Sequence, residues 1–309
     1  MRIVVIGATI STHRIISELL RSREHDIVAI VTLAPKYAIR KARFFSLDDI
    51  AALNGIDLVY VHRISDLKTV NIVEKLNPDL IIESGWSQII PSSILSIPNK
   101  GCIGLHYGWL PDYRGGASLN WALIRGEKEW GASLFYLVER VDEGDIIDRR
   151  RFKIEDRDNI RTIYDKADAL AVSMIRDNLA SIENGSVRTI RQTQDEGAHL
   201  ARRKPTDGEI DWTRPSATIN NLIRSITKPY PGAFTSFNGQ KLIVWESESS
   251  DPGFGTPGTV TRVADGRGIV TNTGAGGLLI TRAQIEGEIE QWGDDLAHDL
   301  DMKQGDAFG

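Results

Sequence analysis

The chain has 309 residues, 41% of them hydrophobic and 26% charged, an ordinary globular composition long enough for one large domain or two smaller ones. Its 37 Lys and Arg against 42 Asp and Glu leave a net charge of −5, so the molecule as a whole offers no basic field to a polyanion and a general nucleic-acid binder is disfavoured. The single cysteine, Cys102, excludes an intramolecular disulfide and a cysteine-ligated metal site, and suits a reduced, intracellular protein.

At the N-terminus, MRIVVIGATIS carries a short apolar run that ends at a glycine, without the apolar core and cleavage site of a signal peptide. No window reaches the roughly 18 apolar residues of a membrane-spanning helix. A soluble, cytoplasmic protein with no membrane partner is expected. Apolar runs rich in β-branched residues at 2–6, 27–32, 58–61, 80–83 and 102–105 read as buried strands. Helical spacing occupies 11–20, 47–54 and 67–76 between them. Such alternation predicts βαβ units and a parallel, Rossmann-like sheet, whose working loops follow the carboxyl ends of the strands, here just after Glu83 and Leu105.

The first glycine turn, Gly7-Ala-Thr-Ile-Ser-Thr, does not match GxGxxG, and no acid follows the second strand. It reads as a tight strand-to-helix turn rather than a dinucleotide site. The six histidines, at 13, 25, 62, 106, 199 and 298, include no i, i+4 pair, and no metal is expected. His106 follows a buried strand and precedes a loop rich in glycine and proline, a place suited to a general acid or base. Asp142 precedes a glycine turn, and a carboxylate set beside an imidazole fixes its tautomer and supports its protonated form. On spacing alone, a structural histidine and an ordinary turn stay open.

Residues 184–204 are polar and nearly free of large apolar side chains, as in a linker, and place a domain boundary there: a catalytic domain over 1–200 and a second domain over 205–309. Residues 205–309 hold 8 Lys and Arg against 15 Asp and Glu, a charge of −7, whereas residues 1–204 hold 29 against 27, or +2. After the boundary come an amphipathic helix over 216–226 and strands at 234–237, 242–245, 258–263, 268–271 and 277–285, with turns at Asn238-Gly239 and Asp265-Gly266. These predict a five-stranded antiparallel barrel of OB type. The acidic tail from about 294 reads as either docked or frayed.

Four segments in this order carry a family resemblance: Gly85-Trp-Ser-Gln-Ile-Ile-Pro91, His106-x-x-x-Leu-Pro-x-Tyr-Arg-Gly115, Asn120-Trp-Ala-Leu-Ile-x-Gly-Glu127 and Val141-Asp-x-Gly-Asp-Ile-Ile147. The chain resembles the folate-dependent formyltransferases, which include methionyl-tRNA formyltransferase and the enzymes that N-formylate nucleotide-linked amino sugars. The likeness continues in Arg203-Lys-Pro-Thr-Asp-Gly-Glu-Ile-Asp-Trp212 and Ile223-Arg-Ser-Ile-Thr-Lys-Pro-Tyr-Pro-Gly-Ala-Phe234, so it spans nearly the whole chain.

The resemblance implies an α/β formyltransferase domain followed by a smaller β-barrel. It also implies 10-formyltetrahydrofolate as co-substrate. His106 would handle the proton and Asp142 would support it. Trp86, Gln88, Ile89 and Ile90, with Val138, Glu139, Arg140 and Val141, would line the folate site, although core packing is an equal reading for Trp86, Ile89 and Ile90. Tyr113, Arg114 and Gly115 would flank the acceptor. Where the family has an Asn that donates to the oxyanion, this chain has Gly104, and loss of such a donor costs about 10²–10³ in rate.

A transfer-RNA acceptor calls for a basic second domain, and the −7 argues against it. The expected partner is therefore a small-molecule amine, first a nucleotide-linked amino sugar, with no nucleic acid, and a homodimer is left open. A hydroxyornithine-type amine, methionyl-tRNA, hydrolysis of formyltetrahydrofolate, and folate binding without catalysis are the alternatives.

Overall fold

The computed structural model describes residues 1–38, 41–193, 199–253 and 255–309. They form two compact units, one made of Met1–Ser118, Glu129–Lys153 and Asp165–Ala201, the other of Leu119–Lys128, Ile154–Tyr164 and Arg202–Gly309.

The first unit holds β1 (Arg2–Ile6), α1 (Ile10–Ser22), β2 (Asp26–Leu33), α2 (Pro35–Ala38), α3 (Asp48–Asn54), β3 (Asp57–Val61), α4 (Leu67–Leu76), β4 (Leu80–Glu83), α5 (Ser92–Leu95), β5 (Cys102–His106) and β6 (Arg114–Gly115). After α6 (Ser118–Ile124), which from Leu119 on belongs to the second unit, come β7 (Glu129–Tyr136), β8 (Ile146–Lys153), the long α7 (Ile160–Asn184), whose residues up to Tyr164 also belong to the second unit, and β9 (His199–Leu200). Its sheet runs β3-β2-β1-β4-β5-β7-β8.

Alternation along the strands gives the sheet two apolar faces. Ile3, Val5, Leu80, Ile82 and Ile103 share one core with Ile15, Ile16 and Leu19 of α1 and Met174, Ile175 and Leu179 of α7. Val4, Ile6, Ile81 and Cys102 share the other with Val73 of α4 and Ile94 of α5. Each fully buried Val or Ile contributes about 1.5–3 kcal/mol, so both faces anchor the strand ends rigidly. The strand order turns outward in both directions from the β1/β4 junction, the position where open α/β sheets bind ligands. There Thr12 Oγ1 donates to the Ser84 carbonyl (2.6 Å), closing the first glycine turn onto the end of β4.

Two features go beyond the sequence patterns. The sheet is not wholly parallel: β1 to β5 are, but β7 pairs antiparallel with β5, and β8 antiparallel with β7. The β8 sequence, Ile-Ile-Asp-Arg-Arg-Arg-Phe-Lys, lacks an apolar run because it is an edge strand with one neighbour, where charged side chains are suited. The segment 184–204 is more than a surface linker. Ile190 forms an antiparallel bridge to Ile146, Gln192 and Leu200 are buried, and β9 pairs with β6.

The second unit contains α8 (Ser216–Ile226), β10 (Ala233–Phe237), β11 (Gln240–Ser250), β12 (Val260–Ala264), β13 (Gly268–Asn272), β14 (Gly277–Ile285), β15 (Gln291–Trp292) and α9 (Gly293–Asp299). The sheet order is β10-β11-β14-β13-β12, with β15 added beside β14. Asn238 and Gly239 both take positive φ, 48° and 77°, the two-residue hairpin turn that suits the right-handed twist of flanking strands. The acidic tail is docked. Gly309 exchanges two backbone hydrogen bonds with Ser236 of β10 (3.0 Å each), while Val260 and Gly258 bond to Asp306 and Phe308 (2.7 and 3.0 Å), so residues 305–309 bridge the two edges and close the barrel. Among the described residues, no helix is long and apolar enough to cross a membrane, and no three His, Cys, Asp or Glu side chains gather as a metal site.

Candidate active site

His106 is the last residue of β5, 7% exposed, and so emerges at the carboxyl end of the sheet. The chain after it is held closely. Tyr107 gives its hydroxyl to the buried Asp168, its carbonyl accepts from Trp130 Nε1 (2.8 Å), and Ser133 Oγ donates to the Gly108 carbonyl (2.7 Å). A Cβ on Gly108 would lie 2.5 Å from His106 Nε2, so only glycine lets the backbone lie against the ring. The turn brings Tyr113 back, its carbonyl 2.7 Å from His106 Nε2 and its ring against Trp130 at 4.3 Å.

The other ring nitrogen, Nδ1, lies 3.5 Å from Asp142 Oδ2. Both ring nitrogens thus face oxygen atoms. The same Asp142 oxygen accepts the Gly115 N–H (2.9 Å). Asp142 itself has φ of 59°, a left-handed conformation that costs a non-glycine residue about 1–3 kcal/mol and persists only where its surroundings hold it.

What holds Asp142 is a chain of buried polar groups. Gln192 Nε2 donates to the carbonyls of Asp142 (3.0 Å) and Gly144 (2.6 Å), and Gln192 Oε1 accepts from Arg114 Nε and Nη2 (3.2 and 2.8 Å). Arg114 is 1% exposed and also reaches the Thr193 carbonyl (3.4 Å). Its guanidinium is therefore turned into the protein, not toward an acceptor as the loop motif implies. The Gly115 N–H is likewise committed to Asp142.

At the end of β4, Glu83 pairs in register with Gly104 of β5. Glu83 Oε1 accepts the Trp86 N–H (2.7 Å), and Oε2 lies 3.2 Å from where a Cβ on Gly104 would stand. Burial pushes the Glu83 carboxyl from the ordinary 4.5 up to about 7, with the nearby Asp142 charge adding to the rise and the Trp86 N–H and Lys41 opposing it. Burial lowers the Lys41 ammonium in turn, against the pull of Glu83.

Among the other expected residues, Ile90 lies in the core, whereas Ile89, Val138 and Val141 are 64%, 44% and 48% exposed. The Gln88 amide is tied to the backbone of another loop, accepting from Ile64 N–H (2.9 Å) and donating to the His62 carbonyl (2.8 Å). Glu139 and Arg140 are exposed. Trp86 packs into the same apolar cluster as Ile90 and Leu137, so the 86–90 and 137–141 segments are rooted together. Buried Ser84 Oγ and Trp86 Nε1 have no hydrogen-bond partner among the described residues.

The structure thus joins His106, Asp142, Tyr113 and Gly115 directly, and sets Glu83 beside Gly104. Sequence patterns did not point to Glu83 or Gln192. An acid closing the apolar strand Leu-Ile-Ile-Glu was the available signal for the first; the second sits in a polar stretch that carries none.

Residues 1–179 match the sequence profile described as formyl transferase, and residues 202–299 the one described as formyl transferase, C-terminal domain. Methionyl-tRNA formyltransferase of Bacillus velezensis is 31% identical over 260 residues, covering 84% of this chain and 82% of that protein. HypX from Aquifex aeolicus, solved in complex with tetrahydrofolic acid, superposes with a TM-score of 0.70 at 20% identity; the match covers 97% of this chain but 47% of HypX. WlaRD, a sugar 3N-formyl transferase solved in the presence of dTDP and 5-N-formyl-THF, superposes with a TM-score of 0.67 at 19% identity, covering 94% of this chain and 99% of that one.

Proposed function

The chain belongs to the formyl transferase family, and from that membership we propose that it transfers the formyl group of 10-formyltetrahydrofolate to the amine of a small acceptor, first a nucleotide-linked amino sugar. The observation that carries the reading is the meeting of His106 and Asp142, 36 positions apart in sequence, at 3.5 Å on the carboxyl edge of the sheet.

The folate fits what the two neighbouring segments offer. Exposed Ile89, Val138 and Val141 give apolar surface for a flat ring. When bound, the co-substrate supplies an activated formyl carbon. A neutral amine forms the new C–N bond there as the bond to the folate nitrogen breaks, and one proton passes from the amine to that nitrogen. His106 is placed to take this proton and return it, using the ring nitrogen directed away from Asp142, while Asp142 holds the ring and balances the charge that forms on it. Tyr113, whose carbonyl now meets that nitrogen, has φ of 62°, and its carbonyl must yield for an amine to approach.

A second reading keeps a specific observation in its favour: relatives of comparable length include methionyl-tRNA formyltransferases of Bacillus velezensis and Bacillus subtilis. Against it stands the −7 carried by residues 205–309, since phosphate neutralisation supplies much of such affinity. The test is to offer 10-formyltetrahydrofolate with nucleotide-linked amino sugars, metabolite amines or methionyl-tRNA, following tetrahydrofolate and formylated product together. A formylated sugar amine is expected. Faster transfer to methionyl-tRNA replaces the acceptor assignment. Formate release at full rate without any amine indicates a hydrolase, and folate binding without turnover a binding protein.

A further inference from the structure

We propose that Glu83 is a catalytic residue of this site, donating a hydrogen bond from its protonated carboxyl to the formyl oxygen as the amine adds. The proposal rests on the formyl-transfer reading. It begins from strand geometry: Glu83 pairs with Gly104 across parallel strands, and Gly104 stands two residues before His106 on β5, so the bare Cα of residue 104 and the His106 ring face the same side of the sheet. A Cβ at 104 would come within 2.5 Å of Leu137 Cδ2 and 3.2 Å of Glu83 Oε2. No side chain grows from β5 at this point without displacing Leu137. Of the three nearest atoms a Cβ there would meet, the one polar atom is Oε2 of the carboxyl reaching across from β4.

The carboxyl is oriented for donation. Oε1 is held by the Trp86 N–H, so a proton belongs on Oε2, which faces Gly104 and has no hydrogen-bond partner among the described residues. Glu83 as a residue is half-buried. The charged groups that act on it are Asp142 from the loop after β7 and Lys41 from the segment after α2, and His106 lies two residues beyond Gly104 on the paired strand. Burial and Asp142 favour the neutral acid and Lys41 opposes it, the balance falling at about 7.

Addition of an amine converts the formyl C=O into a tetrahedral centre with charge on oxygen. A hydrogen bond to that oxygen strengthens as the charge develops, so it lowers the barrier more than it tightens binding. A carboxylic acid kept neutral by its surroundings serves as such a donor. No net proton leaves Glu83; the amine proton still travels through His106.

Glu83→Ala removes the donor, and Glu83→Gln keeps an N–H donor of similar size that does not titrate. For Glu83→Ala, kcat is expected to fall about 10²–10³-fold with KM for 10-formyltetrahydrofolate within severalfold. Glu83→Gln should recover most of that loss and abolish the decline in kcat expected of the wild type as pH rises through about 7. Circular dichroism and binding of 5-formyltetrahydrofolate check that each variant is folded; should Glu83→Ala fail that check, the Glu83→Gln pH profile decides. Wild-type activity in Glu83→Ala overturns the proposal, as does a Glu83→Gln that keeps the wild-type pH profile. Wild-type kcat rising through pH 7 by a step that Glu83→Gln removes also overturns it, because the carboxylate would then be the active form. Absence of formyl transfer by the wild type to any acceptor overturns the reading beneath it instead.

Discussion

Around His106, oxygen atoms set the chemistry: the Tyr113 carbonyl at 2.7 Å on one ring nitrogen and Asp142 Oδ2 at 3.5 Å from the other. His106→Ala removes the group that relays the proton, and Asp142→Asn removes the charge while leaving an oxygen for the Gly115 N–H. Each is expected to lower kcat about 10²–10⁴-fold with an unchanged far-ultraviolet spectrum; full activity in either variant would remove it from the mechanism. Glu83 makes a separate prediction about stability. Below pH 4.5 the carboxyl is protonated in both folded and unfolded chains. Between 4.5 and about 7 the folded protein keeps a proton that the unfolded chain has released, so stability falls as pH rises through this window and the penalty is complete above it. Denaturant unfolding of Glu83→Gln should therefore match the wild type near pH 4.5 and exceed it by a few kcal/mol at pH 8. A constant difference across that range would mean that the carboxyl is not displaced from its ordinary value.

Among the elements, the ends of β4 and β5 position the site, but the chain after α7 holds Asp142 in place. Gln192 joins the carbonyls of Asp142 and Gly144 to the buried guanidinium of Arg114. Gln192→Ala leaves three groups short of a partner, two of them buried, at about 1–3 kcal/mol for each buried unsatisfied group, and frees the strained Asp142 backbone. A lower unfolding midpoint together with a reduced kcat is expected, whereas lost stability at full kcat would separate Gln192 from catalysis. The polarity of residues 184–204 reads as a linker because a side chain that serves buried backbone carbonyls has the same composition as one that meets water. For α7, small residues obscure the pattern: Ala167 and Ala171 occupy its buried stripe beside Met174, Ile175 and Leu179.

For the whole molecule, the uneven charge matters more than its sum, because residues 205–309 carry −7 in a unit with its own apolar core. Binding of methionyl-tRNA is expected to be weak at physiological salt; tight binding with a steep loss of affinity on adding salt would contradict the small-acceptor reading. The second unit also depends on its last residues. Phe308 is buried against Trp212 and Phe237, with ring centroids at 5.2 and 5.9 Å, in the segment that closes the barrel. Phe308→Ala should cost about 3–5 kcal/mol in denaturant unfolding of this unit; a change below 1 kcal/mol would show that the tail does not support the barrel.

Local pattern and motif in the sequence determined much of this. Apolar runs bounded by turns placed β4, α4, α8 and β14 at their observed limits, because buried strands and one-sided helices impose periods of 2 and 3.6 on the residues themselves. The order of the motifs around His106 and Asp142 determined the family. Tertiary structure alone decided what faces what. Arg114 turns inward, Gln192 reaches Asp142, and Glu83 fills the space beside Gly104, because these relations depend on strand register and loop closure between residues far apart in the chain. The same distinction applies to the acidic tail, whose composition allowed docking or fraying, and whose pairing with both β10 and β12 required two strand edges that exist only once the barrel is formed.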